Sequence, residues 1–117
     1  SACTKAPGEG GKNTITGVII KEEYTEAGTD YVTNYPALEE RVYIIYGDNA
    51  VFADETRTNF DGSFRFDYLY NGDYSISVYS ECLACPGGVE PIFIDIELEQ
   101  RKEIFETDTI YVKKFIN

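Results

Sequence analysis

Residues 63–70 (SFRFDYLY) alternate polar and apolar side chains, and residues 74–80 (YSISVYS) do the same just after Asn71-Gly72. A period of two places one side of a strand against a core, whereas a helical face recurs every 3.6 residues. Asn-Gly accepts positive φ at both turn positions, so the pair reads as a hairpin turn. Phe64, Phe66, Tyr68 and Tyr70 share one face of the first run; Tyr74, Ile76 and Val78 share one face of the second.

The same signal recurs along the chain. Residues 14–21 (TITGVIIK) form a first β-rich run. Residues 41–46 (RVYIIY) set Val42, Ile44 and Tyr46 against Tyr43 and Ile45. Residues 51–58 are more polar, as suits a sheet edge. Ile92, Ile94, Ile96 and Leu98 alternate with Phe93, Asp95 and Glu97, and residues 109–115 close the chain. There is no internal repeat and no sustained helical periodicity. The pattern predicts an all-β fold: a seven-stranded antiparallel Greek-key β-sandwich with two facing layers. Two connections are longer. Residues 22–40 hold Tyr24, Tyr31 and Tyr35 and, before Pro36, the acids Glu22, Glu23, Glu26 and Asp30; residues 81–91 hold two cysteines. Long loops in small domains tend to be functional or disordered.

Charge removes several functions. There are 21 acidic residues against 10 basic ones, a net charge of -11. Nucleic acid is a poor partner for such a field, because phosphate binding needs Lys and Arg to displace counterions. There is no His. That excludes Ser-His-Asp and Cys-His catalysis and a His-ligated metal. No cofactor and no metal are expected.

The start of the chain carries a different signal. The sequence has no Met, which suggests a processed product. Ser1-Ala2 before Cys3 resembles the end of a bacterial lipobox, which would make Cys3 a lipidated residue. The plainer reading is a free thiol. Residues 6–13 are Gly-rich and read as a flexible tether. The expected layout is therefore a tether over 1–13 and a β-sandwich domain over 14–117. The expected location is the bacterial cell envelope, outer membrane or periplasm, with the membrane met only through the lipid anchor.

Cys82 and Cys85 form a C-x-x-C pair before Pro86-Gly87-Gly88. A zinc site would need about four ligands, and neither a His nor a second pair is present. A redox dithiol would open a helix beside a βαβ pattern. A local disulfide stapling a loop in an oxidising compartment is the reading preferred.

Residues 56–66 (TRTNFDGSFRF) and 69–78 (LYNGDYSISV) resemble the signature of carboxypeptidase regulatory-like domains, in the prealbumin-like group, which is also similar to Cna-B repeats. Residues 16–18 (TGV) and 35–44 (YPALEERVYI) resemble the opening of the same pattern, and the resemblance spans about residues 14–80. It implies a prealbumin-like sandwich in which Asp61, Gly62, Phe64, Phe66, Gly72 and Tyr74 are architectural. Gly62 and Gly72 would permit turns, and the Phe pair would fill the core. Tyr74 would pack inward with its hydroxyl on nearby backbone, in the manner of a tyrosine corner. The chain departs from the family in its longer first loop and in Asn59, where the family carries Asp, which weakens a cation at that turn. A related hydrolase of a purine-derived ring depends on His and does not transfer. For a Cna-B-type isopeptide bond, Lys21, Asn117 and a Glu such as Glu97 could be nominated, but Lys21 sits among exposed acids and Asn117 is at the chain end.

The function expected is that of a non-catalytic, monomeric lipoprotein domain, not an enzyme, acting as a structural or protein-interaction module with a partner in the cell envelope. The other reading is a carbohydrate-binding module with a polysaccharide partner, held by exposed Tyr24, Tyr31, Tyr35, Tyr79 and Tyr111. Aromatic rings with polar tips suit sugar faces, although tyrosines also simply favour strands. A cation-dependent adhesion domain is a third reading.

Overall fold

The computed structural model describes residues 8–47, 51–100 and 102–116. They form nine strands: β1 (Glu9–Thr25), β2 (Tyr31–Pro36), β3 (Arg41–Tyr46), β4 (Asp54–Arg57), β5 (Ser63–Leu69), β6 (Gly72–Glu81), β7 (Val89–Leu98), β8 (Ile104–Glu106) and β9 (Ile110–Ile116). No α-helix occurs among the described residues, and one short turn, Pro86–Gly88, links β6 to β7.

The strands form two sheets. One has the order β4-β3-β6-β7 and is antiparallel throughout. The other is built around β1. The first half of β1 pairs with β5 and β8, the second half with β2 and β9. At about 3.3 Å per residue, a strand of 17 residues reaches ~56 Å, long enough for two successive sets of neighbours. The inner faces of the two sheets meet in a single cluster. Ile15, Ile19, Phe64, Phe66, Ile110 and Val112 come from the β1 sheet; Val42, Ile44, Tyr74, Ile76, Val78, Ile96 and Leu98 come from the other. The all-β sandwich is thus present, and the alternating positions of β3, β6 and β7 supply half its core.

The strand count and directions differ from expectation. Among the described residues there are nine strands, not seven, and β8 and β9 run parallel to β1. Hairpin signals are local, whereas a parallel neighbour comes from far along the chain and leaves no mark between the paired segments. The stretch 22–40 is a hairpin: β1 runs on to Thr25, and Lys21 to Tyr24 pair with β2. Gly28, at φ +74°, lets the turn close with its amide on the Thr25 carbonyl at 2.7 Å.

The expected domain boundary also moves. Residues 9–13 belong to β1. Asn13 is buried; its amide nitrogen donates to Asn71 Oδ1 at 2.8 Å, and its Oδ1 accepts the Glu103 amide at 2.7 Å. A Gly-rich segment that reads as a tether is held here by contacts from distant residues. Residues 1–7, with Cys3, lie outside the described residues, as does Asn117.

One alternation breaks. Phe64 and Phe66 are buried, but Tyr68 is 69% exposed and Leu69 is buried in its place. Tyr68 sits at φ +62°, and this left-handed residue shifts the phase of the strand by one. Gly62, at φ +81°, is buried beside β1. A Cβ there would stand 2.4 Å from the Ile19 carbonyl oxygen, so only glycine fits the close approach.

Candidate functional site

The hairpin of β1 and β2, the end of β9 and the cysteine loop meet at one end of the molecule. Tyr24, Tyr31 and Phe115 lie on the face of the β1 sheet turned away from the core. Their positions follow from register: Tyr24 pairs with Tyr31 across β1–β2 and with Phe115 across β1–β9. The Tyr24 ring meets Tyr31 edge-on at 5.7 Å and lies 6.0 Å from Phe115, tilted by 38°. Lys113 Nζ stands over the Tyr24 ring, 5.6 Å from its centroid. That arrangement is a cation–π contact and keeps the cation beside the ring.

Cys82 and Cys85 form a disulfide, with Cα atoms 5.4 Å apart. The Cys82 amide donates to the Gly88 carbonyl at 2.9 Å, which closes the loop between β6 and β7. Leu83 projects from this loop toward the β1–β2 turn, where its Cδ1 lies 2.9 Å from where a Cβ on Gly28 would be. The resulting cavity measures about 290 Å³. Tyr24 and Phe115 form one wall, Leu83 and Cys82 another, and Glu81, Glu90 and Lys113 supply charge. A larger hollow of about 540 Å³ beside the β1–β2 turn has no aromatic lining.

The walls are tied together by hydrogen bonds. The Phe115 amide donates to Glu81 Oε1 at 2.8 Å, and the Lys113 amide donates to Ser80 Oγ at 2.8 Å. Side chains at the end of β6 thus satisfy the free edge of β9 and fix its rings against the disulfide loop.

The other tyrosines proposed from the sequence lie elsewhere. Tyr35 is on the opposite side of β2 and donates its hydroxyl to Glu23 Oε2 at 2.7 Å. That bond, reinforced by burial and by the surrounding carboxylates, pushes its pKa up to about 12. Tyr111 is exposed on β9 next to Ile20 and outside the cavity. Tyr79 is on the outer face of the other sheet, 6.0 Å from Tyr43. Of the five, Tyr24 and Tyr31 come together, and Tyr24 lines the cavity. Phe115, Lys113, Leu83 and the two glutamates were not singled out from the sequence. The usable signal was the alternation of β9, which puts Tyr111, Lys113 and Phe115 on one face.

The motif residues hold the scaffold. Asp61 Oδ1 accepts the Ser63 amide at 3.0 Å and the Ser63 hydroxyl at 2.6 Å; these bonds lower its pKa and cap the turn before β5. Gly72 opens β6. Tyr74 is buried, and burial raises its pKa; its hydroxyl donates to the Tyr70 carbonyl at 2.6 Å. Lys21 is engaged by Glu40 at 3.0 Å, and Glu97 is exposed on β7.

No family profile matches the chain, and no curated protein matches it. Among solved structures, its fold is similar to that of a Pseudomonas aeruginosa protein described as a "putative carbohydrate binding protein". The TM-score is 0.52 with 17% identity, over 97% of this chain and 93% of that one. At this identity the likeness concerns the fold.

Proposed function

We propose that this chain is a non-catalytic carbohydrate-binding module and that it holds a sugar unit between Tyr24, Phe115 and the disulfide loop. The observation that carries the reading is the aromatic-walled cavity with carboxylates and an ammonium group at its rim. A sugar ring presents a C–H face that packs on aromatic rings and hydroxyls that bond to charged groups. Glu81 and Glu90 accept from hydroxyls, and Lys113 donates to them. The printed description of the Pseudomonas aeruginosa protein is compatible with this reading.

The same proposal places the chain among carboxypeptidase regulatory-like, prealbumin-like modules, on the motifs at 56–66 and 69–78. It also places it in the bacterial envelope, anchored through Cys3 and displayed as a spacer or recognition domain. Fatty-acid labelling of cells expressing the native precursor, with and without Cys3→Ser, tests the anchor. A glycan array tests the main reading: retention on at least one neutral polysaccharide is expected, and no retention on any glycan overturns it.

A further inference from the structure

The four-stranded sheet carries a second aromatic set on its outer face. Tyr43 on β3 and Phe93 on β7 both stand opposite Ser77 on β6. Neighbouring strands lie about 4.8 Å apart, so these two side chains flank a single serine. Phe52 stacks on Tyr43, with centroids 4.3 Å apart and planes at 18°. Tyr79, two residues beyond Ser77 and on the same face, meets Tyr43 edge-on. None of these rings is needed in the core, which is filled from the alternate positions Val42, Ile44, Ile76 and Val78. Phe52 and Tyr79 are each 39% exposed and Phe93 is 55% exposed.

Beneath the rings, Ser77 is fully buried and its Oγ has no hydrogen-bond partner; no other buried side-chain polar atom among the described residues lacks one. Buried hydroxyls are normally satisfied, so an orphan of this kind calls for an explanation. The rim carries both signs, with acids in excess. Glu55 stands opposite Tyr43 and pairs with Arg41 at 3.9 Å, and Arg57 stands opposite Arg41. Asp95, which accepts the Ser75 hydroxyl at 2.7 Å, lies one step along the face, followed by the cross-strand pair Asp73 and Glu97.

We infer that this face is a second carbohydrate surface, which takes a neutral polysaccharide segment across β3, β6 and β7 and offers Ser77 Oγ to one of its hydroxyls. The inference rests on the carbohydrate reading above. The occupant follows from the chemistry of the face. A sugar hydroxyl both donates and accepts, and can satisfy Ser77 when the covering rings part, which an apolar protein side chain cannot. The carboxylates Glu55, Asp73, Asp95 and Glu97 outnumber Arg41 and Arg57 on this face, accept hydroxyl protons and repel uronate and sulfate groups, so the segment is neutral. A second copy of this chain, itself at net charge -11, would bring like charge to the same rim.

Amide NMR titration with cellohexaose, xylohexaose, mannohexaose and maltohexaose, against hexagalacturonate, tests the inference. At least one neutral hexasaccharide shifts the amides of Tyr43, Ser77 and Phe93 as a group separate from Tyr24 and Phe115, and hexagalacturonate shifts neither group. Ser77→Ala weakens that response at least fivefold while leaving the melting temperature equal or higher, because it removes an unpaired buried hydroxyl. Phe93→Ser, at a half-exposed position, weakens it without unfolding the protein. Shifts confined to Tyr24 and Phe115 overturn the second surface and leave the carbohydrate reading standing. No shift with any hexasaccharide overturns both. Concentration-dependent shifts at this face without sugar, with a doubled mass in solution, assign it to self-association and overturn the inference.

Discussion

Gly8 and Tyr74 are joined across 66 positions: the Gly8 amide donates to the Tyr74 hydroxyl at 2.9 Å, and that hydroxyl donates in turn to the Tyr70 carbonyl. The start of β1 is thereby pinned to the hairpin that opens β6. Tyr74→Phe keeps the ring and leaves two backbone groups without their partner. A loss of about 1–3 kcal/mol in urea unfolding is expected. An unchanged midpoint would show that the bond contributes nothing.

Tyr35 and Tyr74 both resist ionisation, Tyr35 through its bond to Glu23 and Tyr74 through burial. Their folded pKa values lie above the ordinary value of 10.0, so the folded state keeps protons that the unfolded chain releases first. The stabilisation is complete below that value and is lost as pH rises through the folded one, about 12 for Tyr35. Unfolding midpoints should therefore fall between about pH 9 and about pH 12, and Tyr35→Phe should flatten the fall. A fall of equal size in Tyr35→Phe would remove Tyr35 from the account.

Gly62→Ala combines a left-handed φ with a Cβ against the Ile19 carbonyl. It should cost more than about 2 kcal/mol, since the backbone of β1 has to move. Calorimetry that finds wild-type stability would contradict the close approach.

The clean alternations at 41–46 and 92–98 were legible because each strand has one face in the core. Beyond them, legibility depended on whether a segment's partner was local. Glu9 to Asn13 and β2 are too polar or Gly-rich to announce strands, and are held by Asn71, Glu103 and the length of β1. Tyr68 escaped because a single positive φ, not its hydrophobicity, decides which way it points. The cavity was half legible. Tyr24 is visible as an aromatic residue, but its neighbours Phe115 and Leu83 arrive from separate segments through a parallel pairing and a disulfide loop. Tyr43 and Phe93 were visible as positions alternating with Val42 and Ile44 and with Ile92 and Ile94, and only the register puts them either side of Ser77.

The disulfide closes a short loop, with a sequence separation of 3, so its chain-entropy contribution is small. The double variant Cys82→Ser/Cys85→Ser should lose no more than about 2 kcal/mol. Its larger effect should be on binding, because Leu83 and Cys82 form a wall of the cavity. Sugar affinity equal to that of the oxidised protein would separate the loop from the site.

The central claim is that the cavity of Tyr24, Phe115 and Lys113 holds a neutral sugar. Isothermal titration of the wild type and Tyr24→Ala with oligosaccharides of the neutral glycan retained on the array tests it most directly. Removing an aromatic face worth about 0.5–1.5 kcal/mol beyond its burial should weaken binding by up to about tenfold, with circular dichroism unchanged. Equal affinity in the two proteins, or no heat with any neutral oligosaccharide, would contradict the claim.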